Sequence, residues 1–314
     1  MIISFFDFLN KEIFKLITTK NSPGFWAPKN KLKDFKKIYI DLRNLNHAHL
    51  GDQLFFITAF INRDEVDDVI FLINESLLDF YKCFNVNILL DIEKFEAERD
   101  RNSILLTSVK SYLSPLDKIN NFFSTIICYD LTDTKIKEPL FNHIYKTFYK
   151  DNDSLKKIDI PMGNNNFDVN IFSKFQITEK NYFIFNDILY SRKFLRPYLQ
   201  RSLRKKIKSL KNTNTSIIYV GSKLDSSLDS KLSPFLDIDL RGKLSFYELM
   251  LLIKSKKCLG YIGFDNAVMH LCLIFKKTVF IKFRGRLLRS AYMLHKRSIN
   301  CAVNPEAADN INYL

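Results

Sequence analysis

The sequence predicts an α/β fold of two domains, each built on a parallel sheet, and three observations support this. Short runs rich in β-branched and aromatic residues alternate with helical patterns in both halves of the chain, which is typical of βαβ units. A polar segment at 150–170, which carries Pro161 and Gly163, interrupts the alternation and is predicted to be the interdomain linker. The 314 residues also suit two domains of about 150 residues each.

The first half begins with a helical pattern followed by a connector. Apolar side chains repeat at helical spacing from Phe5 to Leu16, and charged residues among them argue against a signal-peptide core, so an amphipathic helix is predicted here. This helix either packs on the protein or lies at a membrane surface. Residues 21–34, with two prolines and a glycine, are predicted to be a polar connector. Strands follow at 38–42, 69–73, 86–90, 104–109 and 125–131, with helices at 51–61, 75–84 and 115–123.

The second half repeats the alternation. Strands are predicted at 182–185, 217–220, 259–262 and 278–283, and helices at 194–210, 246–254 and 266–275. We expect residues 1–35 to form the N-terminal helix and connector, 36–160 the first domain, 161–290 the second, and 291–314 a C-terminal segment that packs back on the first domain. Two Rossmann-like halves of this kind bind ligands beyond the carboxyl ends of their strands.

Charge and composition restrict the function. The net charge of +14 predicts an anionic partner: a nucleic acid, a phosphorylated substrate or an acidic membrane surface. No recognisable nucleic-acid-binding module occurs, so no nucleic acid is expected as the partner. The P-loop signature and a strand-linked GxGxxG are missing, which disfavours a P-loop NTPase or an ordinary NAD enzyme. The five scattered cysteines include no CxxC pair and are predicted to be reduced, buried thiols.

One candidate site lies at 260–275, where a predicted strand ends at Gly263 and a helix begins at Asp265 or Asn266. Both of these are good N-cap residues, and we expect free backbone N–H groups and the helix dipole to favour an anion there. His270 on the same helix can add a hydrogen-bond donor to a phosphate. Alternatively, Asp265 only caps the helix and His270 packs against the sheet.

A second candidate lies at 50–60, where a glycine turn opens a helix and places the Asp52 carboxylate beside the ligand region. The Asp52 carboxylate can simply stabilise the helix N-terminus; a role as general base is what the family resemblance given below implies. His47 and His49 precede it in the same loop; each is either a contact for an acceptor anion, an alternative base, or a surface histidine.

Basic and acidic loop residues complete the candidates. Between residues 188 and 224 the chain has no acidic residue, and Arg192 and Lys193 begin a run of nine Lys/Arg that ends at Lys211. Such a run forms a solvated face or contacts an anionic substrate or membrane. Asp225 follows another predicted strand and is a solvated loop acid, unless it has the ligand role that the family resemblance given below implies. Asp237 and Asp239 have the metal-binding DxD spacing, but we expect them to belong to a strand.

These motifs resemble glycosyltransferase family 9, the lipopolysaccharide heptosyltransferases. The matching residues are Gly51 and Asp52 in the first motif, Gly242, Lys243, Ser245, Glu248 and Leu249 in the second, and Gly263, Asp265, His270 and Leu271 in the third. Asn266 and Ala267 replace the Ser/Thr and Gly of that family, which removes a hydroxyl and a close backbone approach. The resemblance implies a GT-B fold, in which two Rossmann-like domains with parallel sheets face a central cleft.

The resemblance also implies roles for these residues. Asp52 is the expected general base, and His47 and His49 are expected at the acceptor. The nucleotide-sugar site is expected to comprise Lys193 or Arg192 at the donor phosphate, Asp225 at the ribose, and Gly242, Lys243, Gly263, Asp265, Asn266, Ala267 and His270.

The implied activity is inverting transfer from a nucleotide-sugar to an anionic glycan or glycolipid of the bacterial surface, without a metal or other cofactor. The implied location is the cytoplasm, with peripheral contact to the inner membrane. A nucleotide-sugar epimerase or hydrolase of the same fold, and a catalytically inactive family member acting as a binding partner, remain alternatives.

Overall fold

The computed structural model of this chain describes two compact units. The first comprises Met1–His47 with Ala59–Ser154, and the second comprises Ala48–Thr58 with Leu155–Leu314. The described residues are 18–22, 25–28, 37–43, 50–60, 68–84, 86–90, 103–108, 125–129, 168–177, 180–187, 196–211, 214–223, 225, 231–264, 266–282 and 310–314. The predicted N-terminal helix, the predicted helix at 115–123 and most of the predicted linker lie outside them.

The described strands of the first unit form a seven-stranded sheet. They are β1 (Thr18–Ser22), β2 (Phe25–Pro28), β3 (Lys37–Asp41), β4 (Asp68–Leu72), β5 (Asn87–Leu89), β6 (Ser103–Ser108) and β7 (Thr125–Tyr129), in the order β1-β2-β7-β6-β3-β4-β5. Strands β3 to β7 are parallel, as expected for βαβ units. Their apolar runs are buried because both faces of a parallel sheet are covered; Ile38 and Ile40 in β3 are fully buried.

The connector predicted at 21–34 is wrong in part, because β1 and β2 form an antiparallel pair. Trp26 in β2 also pairs antiparallel with Cys128 in β7. Prediction from short apolar runs misses strands such as β1 and β2, since backbone pairing at the edge of a sheet does not need an apolar face on both sides.

A buried carboxylate joins the ends of the parallel strands in this unit. Asp41 closes β3 and is almost fully buried; it accepts hydrogen bonds from Arg43 Nε at 2.7 Å and from the Thr107 hydroxyl at 3.0 Å. The Tyr129 hydroxyl donates to the Asp41 carbonyl at 3.2 Å. The carboxyl ends of β3, β6 and β7 are therefore held together by one residue.

Three helical segments accompany these strands along the chain. Helix α1 spans Leu50–Phe60, and a 3₁₀ turn at Glu75–Leu77 leads into the short helix α2, Leu78–Tyr81. Asn74 caps the turn through its side chain, which accepts from the Ser76 N–H at 3.0 Å. The helix predicted at 75–84 is thus confirmed, although it starts as a 3₁₀ turn and ends earlier.

The described strands of the second unit form a six-stranded parallel sheet. They are β8 (Tyr182–Asn186), β9 (Ser216–Tyr219), β10 (Ile238–Asp239), β11 (Cys258–Gly263), β12 (Thr278–Ile281) and β13 (Ile311–Tyr313), in the order β10-β9-β8-β11-β12-β13. The helices are α3 (Asp168–Lys174), α4 (Arg196–Lys211), α5 (Phe246–Lys254) and α6 (Ala267–Ile274), with a 3₁₀ turn at Ser233–Phe235. The central strands β8 and β11 are buried, and one face of α4 packs Leu203 and Ile207 into the core.

Strand β13 differs from the expectation for the C-terminal segment. It pairs in parallel with β12, so residues 311–313 belong to the second sheet and not to the first domain. The edge of β12 would otherwise present unpaired backbone groups, and β13 supplies their partners. The rest of that segment, 291–309, lies outside the described residues.

Two further expectations concern cysteines and membranes. Cys83, Cys128, Cys258 and Cys272 are buried free thiols, as predicted, and Cys301 lies outside the described residues. Burial raises the pKa of Cys83 and of Cys258 to about 12. In the part of the chain that the structure describes, no helix combines the length and apolarity needed to cross a bilayer.

Candidate functional site

The candidate residues of the second unit gather where its parallel strands end. Strand β8 ends at Asn186, β9 at Tyr219, β10 at Asp239 and β11 at Gly263. Because all of these strands are parallel, their carboxyl ends lie at one edge of the sheet, which is where α/β folds bind ligands.

Asn266 organises the start of helix α6. Its side-chain oxygen accepts from the N–H groups of Val268 at 3.0 Å and Met269 at 3.2 Å, so the expectation of free N–H groups at these two positions is wrong. Its amide nitrogen donates to Asn186 Oδ1 at 2.8 Å, and Asn186 in turn donates to the Val220 carbonyl at 2.9 Å. Asparagine in place of Ser/Thr therefore caps the helix and also links the ends of β8, β9 and β11.

The first motif meets the third at this helix. A Cβ built on Gly51 would lie 3.1 Å from His270 Cδ2 and 3.9 Å from the Ala267 nitrogen. Residues 48–58 accordingly group with the second unit, although the sequence placed them in the first domain. His270 is buried, and the backbone of Asp52 follows Gly51 in the first turn of α1. Two sequence motifs separated by more than 200 positions thus come together at the start of α6.

Gly263 permits the close approach of neighbouring chain segments. A Cβ at this position would lie 1.9 Å from the Asn186 carbonyl oxygen and 2.4 Å from the Tyr261 hydroxyl. That hydroxyl lies 3.0 Å from the Asn186 carbonyl and 2.6 Å from the Phe264 carbonyl, and its one proton is shared between the two acceptors. Any side chain at Gly263 would displace this junction of β8 and β11, which explains the glycine of the motif.

Asp225 lies in a tight turn after β9 and is buried, so the interpretation as a solvated loop acid is wrong. Its carboxylate accepts from the Ser222 N–H at 2.6 Å. A Cβ on Gly221 would lie 2.9 Å from the same carboxylate, so only glycine fits beside it. The carboxylate shapes the turn 221–225; contact with a ribose stays a prediction.

Arg241 is a buried residue that sequence reasoning did not single out. Its guanidinium lies against Asp239, with Nε–Oδ1 at 3.0 Å and Nη2–Oδ2 at 2.7 Å. Its Nη1 donates to the Asp225 carbonyl at 2.8 Å, and its Cζ lies 4.2 Å from the centre of the Tyr219 ring. The hydrogen bonds that the Arg241 guanidinium donates to the Asp239 carboxylate raise the pKa of Arg241. The signal was present in the sequence as an Arg two residues after an Asp at a strand end.

Gly242 and Lys243 follow Arg241. Gly242 has φ +68°, and a Cβ there would lie 2.8 Å from Lys223 Cα, so the position requires glycine on two grounds. Lys243 is exposed, and its Nζ donates to the Asp239 carbonyl at 2.8 Å. In this structure Lys243 therefore stabilises the turn after β10.

Asp187 was also missed. It directly follows β8 and is fully buried, and its carboxylate accepts from the Tyr219 hydroxyl and from Gln200 Nε2 of α4. A buried carboxylate held by hydrogen bonds is an ordinary device for fixing strand ends. Nothing in the polarity pattern distinguishes it from a loop residue.

The DxD pair serves the protein itself. Asp237 accepts from the Ile217 N–H at 2.8 Å and pairs with Lys211 at 3.1 Å, and Asp239 pairs with Arg241. Asp239 belongs to β10, as predicted. No group of three or more His, Cys, Asp or Glu side chains among the described residues could hold a metal ion.

The remaining predicted site residues are not placed. His47, His49, Arg192, Lys193 and Asp265 lie outside the described residues, and for Asp52 only the backbone position is described. A surface groove of about 730 Å³ runs beside β10, walled by Lys174, Lys180 and Lys243, and is lined by neither Asn266 nor His270.

The first unit has a mainly parallel sheet with helices, and the second has a parallel sheet with helices. The GT-B fold predicted from the resemblance is confirmed. The structure is similar to E. coli ADP-heptose LPS heptosyltransferase II, with 12% sequence identity over 89% of this chain and 90% of that chain, and a TM-score of 0.57. It is similar to the glycosyl transferase family 9 protein from Veillonella parvula DSM 2008, with 13% identity, 90% and 87% coverage, and a TM-score of 0.57. A third similar structure is E. coli heptosyltransferase WaaC with ADP, with 10% sequence identity over 88% of this chain and 92% of that chain, and a TM-score of 0.51.

These solved structures agree with the resemblance drawn from the motifs, and at such identities they establish the fold. No protein-family model matches the sequence, and no curated protein sequence matches it.

Proposed function

We propose that this chain is an inverting, metal-independent glycosyltransferase that moves a sugar from a nucleotide-sugar donor to an anionic glycan or glycolipid of the bacterial surface. One observation carries the proposal: Gly51 of the first motif lies against His270 of the third, at the start of α6. The similar structures support it, since one is named as an ADP-heptose heptosyltransferase and another was solved with ADP.

The donor diphosphate is proposed to bind at the start of α6. The positive end of the helix dipole and the Ala267 N–H favour an anion there, and His270 stands one turn further along. Lys193 or Arg192, a few positions after Asp187 in the sequence, would add positive charge as the nucleoside diphosphate leaves. Cationic side chains and a helix dipole can neutralise a leaving diphosphate without a metal ion.

Asp52 is proposed as the general base. It lies next to Gly51, so its backbone is close to His270 and the start of α6. The carboxylate would remove the proton from the acceptor hydroxyl as that oxygen attacks the anomeric carbon opposite the leaving diphosphate, which inverts the configuration. Asp265 would orient the loop and not contact a phosphate of like charge. The reaction is proposed to take place in the cytoplasm, with the enzyme at the inner membrane surface.

The donor site is tested by thermal unfolding in the presence of ADP-, UDP-, GDP- and CMP-sugars. A ligand that binds the folded protein at about 100 times its Kd stabilises it by about 2.7 kcal/mol. We expect one nucleotide series to raise the unfolding temperature, and its free diphosphate to do the same. No shift with any of the four would refute the donor site.

Asp52 is tested by Asp52→Asn, with transfer of labelled sugar to a lipopolysaccharide extract as the readout. A lost general base lowers turnover by about 10²- to 10⁴-fold, while donor-induced stabilisation is retained. Glu75→Gln is the matched control, because it neutralises an exposed acid at another helical start. Unchanged turnover in Asp52→Asn would reject the assignment, and rapid donor consumption without acceptor would favour the epimerase or hydrolase alternative.

A further inference from the structure

Arg241 connects two strand ends and a turn of the second unit through one buried side chain. Its guanidinium forms a fork with Asp239 at the end of β10, covers the ring of Tyr219 at the end of β9, and donates to the backbone of Asp225 in the following turn. Only 8% of the side chain is exposed. An arginine this deep is normally retained only where each of its donors has a partner.

The pairing with Asp239 fixes the charge of the fork. Burial alone would raise the pKa of Asp239, but hydrogen bonds from the side chain and backbone of Arg241, and its positive charge, hold the pKa below the usual range. Both groups are therefore ionised at neutral pH. The planar fork also fixes orientation, since two parallel hydrogen bonds and an aromatic face leave the guanidinium one position.

The Asp225 turn is held at both ends by this arrangement. The Asp225 carboxylate accepts from the Ser222 N–H at 2.6 Å, while the Asp225 carbonyl accepts from Arg241 at 2.8 Å. The Gly242 N–H donates to the Gly221 carbonyl at 2.9 Å, which ties the two turns together. Arg241 therefore does not have to contact the Asp225 carboxylate. It holds the backbone of Asp225, and the direction of the carboxylate depends on that backbone.

We propose that Arg241 is a positioning residue for nucleoside recognition: it holds residues 221–223 and 225 in the conformation that meets the ribose hydroxyls of the donor. This inference rests on the proposed function, and it adds a residue outside the matching motif positions. A carboxylate can accept more than one hydrogen bond, so it can shape the turn and still receive a ribose hydroxyl. Lysine cannot replace Arg241, because an ammonium group can neither form the fork nor stack on Tyr219 in the same way.

The test measures discrimination of the ribose and not overall affinity. Titration calorimetry compares ADP, UDP and GDP with their dideoxy analogues, which lack both ribose hydroxyls, and the tightest pair is used. A hydrogen bond to a charged group corresponds to about tenfold or more in affinity, so the wild-type protein should prefer the ribonucleotide by about tenfold. In Arg241→Lys this preference should fall to about twofold, because binding of the dideoxy analogue changes much less than binding of the ribonucleotide.

Arg204→Lys is the matched control. Arg204 lies 4.6 Å from the Phe235 ring centre, a stacking geometry similar to that of Arg241 on Tyr219, but it is exposed on α4. It should keep the full preference. Asp239→Asn is a second variant that weakens the fork and leaves the arginine in place, so it decides the question if Arg241→Lys does not fold.

Each outcome has a distinct meaning. Loss of the preference in Arg241→Lys or Asp239→Asn, with retention in Arg204→Lys, supports the inference. A full preference in folded Arg241→Lys, or equal binding of both analogues by the wild-type protein, overturns the inference and leaves the proposed function standing. No binding of any nucleoside diphosphate by the wild-type protein overturns the proposed function and the inference together.

Discussion

The contact between Gly51 and His270 makes a quantitative prediction. In Gly51→Ala the new methyl carbon would lie 3.1 Å from His270 Cδ2, whereas carbon atoms in contact are normally about 3.5–4.0 Å apart. His270 is buried and must shift by a few tenths of an ångström, so we expect the substitution to destabilise the protein by about 1–2 kcal/mol.

The same contact predicts a coupling between the two positions. In His270→Ala the imidazole is gone, and the added methyl occupies part of the space that it leaves. Gly51→Ala should then cost less than about 0.5 kcal/mol, which gives a coupling energy of about 1 kcal/mol between the two sites. The sign of this coupling energy is distinctive, because His270→Ala removes the steric clash that Gly51→Ala creates.

Urea unfolding followed by circular dichroism on the four proteins of this cycle measures the coupling, provided that the slope m stays constant. Cys258→Ala serves as the control partner for Gly51→Ala. Cys258 is buried at the far end of β11, five residues or roughly 16 Å from Gly263, so its effect should add to that of Gly51→Ala. If the effects of Gly51→Ala and His270→Ala were additive as well, the two motifs would not meet in solution as they do here.

Two further predictions concern the strand ends of the second sheet. Tyr219→Phe should destabilise the protein by about 1.5–3 kcal/mol, because it removes the hydroxyl donor from the buried Asp187 carboxylate and leaves the Gln200 side chain to bond that charge. Tyr182→Phe, whose hydroxyl donates to a neutral carbonyl, should cost about 1 kcal/mol in the same urea assay. In Asp239→Asn the free energy of unfolding should fall less steeply with acid than in the wild-type protein. Because the pKa of Asp239 is lowered in the folded state, the contribution of its carboxylate to stability is present above about pH 4 and disappears as the pH falls through the folded-state pKa.

Each of these two predictions is checked by comparing two proteins in the same assay. Equal costs for the two tyrosine variants would show that Asp187 does not depend on the Tyr219 hydroxyl. For Asp239 the side chain is 49% exposed, so solvent and salt reduce the effect, and the wild-type and variant stabilities should converge once the pH has fallen below the lowered pKa of Asp239. Parallel stability curves across the acid range would contradict the ion pair with Arg241.

The alternation of strands and helices was predictable because buried parallel strands and amphipathic helices impose different apolar periods. The helix predicted at 246–254 coincides with α5, where Ser245 and Glu248 form a capping box that the sequence also displays. The hairpin of β1 and β2 was not predictable in the same way. Its pairing with β7 joins segments about 100 residues apart, and single-segment patterns do not contain that information.

The candidate site divides along similar lines. The glycines at 51, 242 and 263 were identified by motif, and the structure gives each a steric reason. Asp187 and Arg241 were not identified, because their importance comes from burial and from partners on other strands. Asn266 departs from the Ser/Thr of the family, yet its side-chain oxygen caps α6 and its amide nitrogen donates to Asn186, so the position keeps a structural role with a different residue.

The position of the single tryptophan has a practical consequence. Trp26 lies on β2, at the antiparallel side of the first sheet, and the sequence has no other tryptophan. Its emission therefore reports on the unfolding of the first unit, while the titration sites argued above belong to the second. Fluorescence at the tryptophan wavelength, recorded alongside circular dichroism, would separate the melting of the two units. A nucleotide that delays only the dichroism signal would assign its binding energy to the second unit.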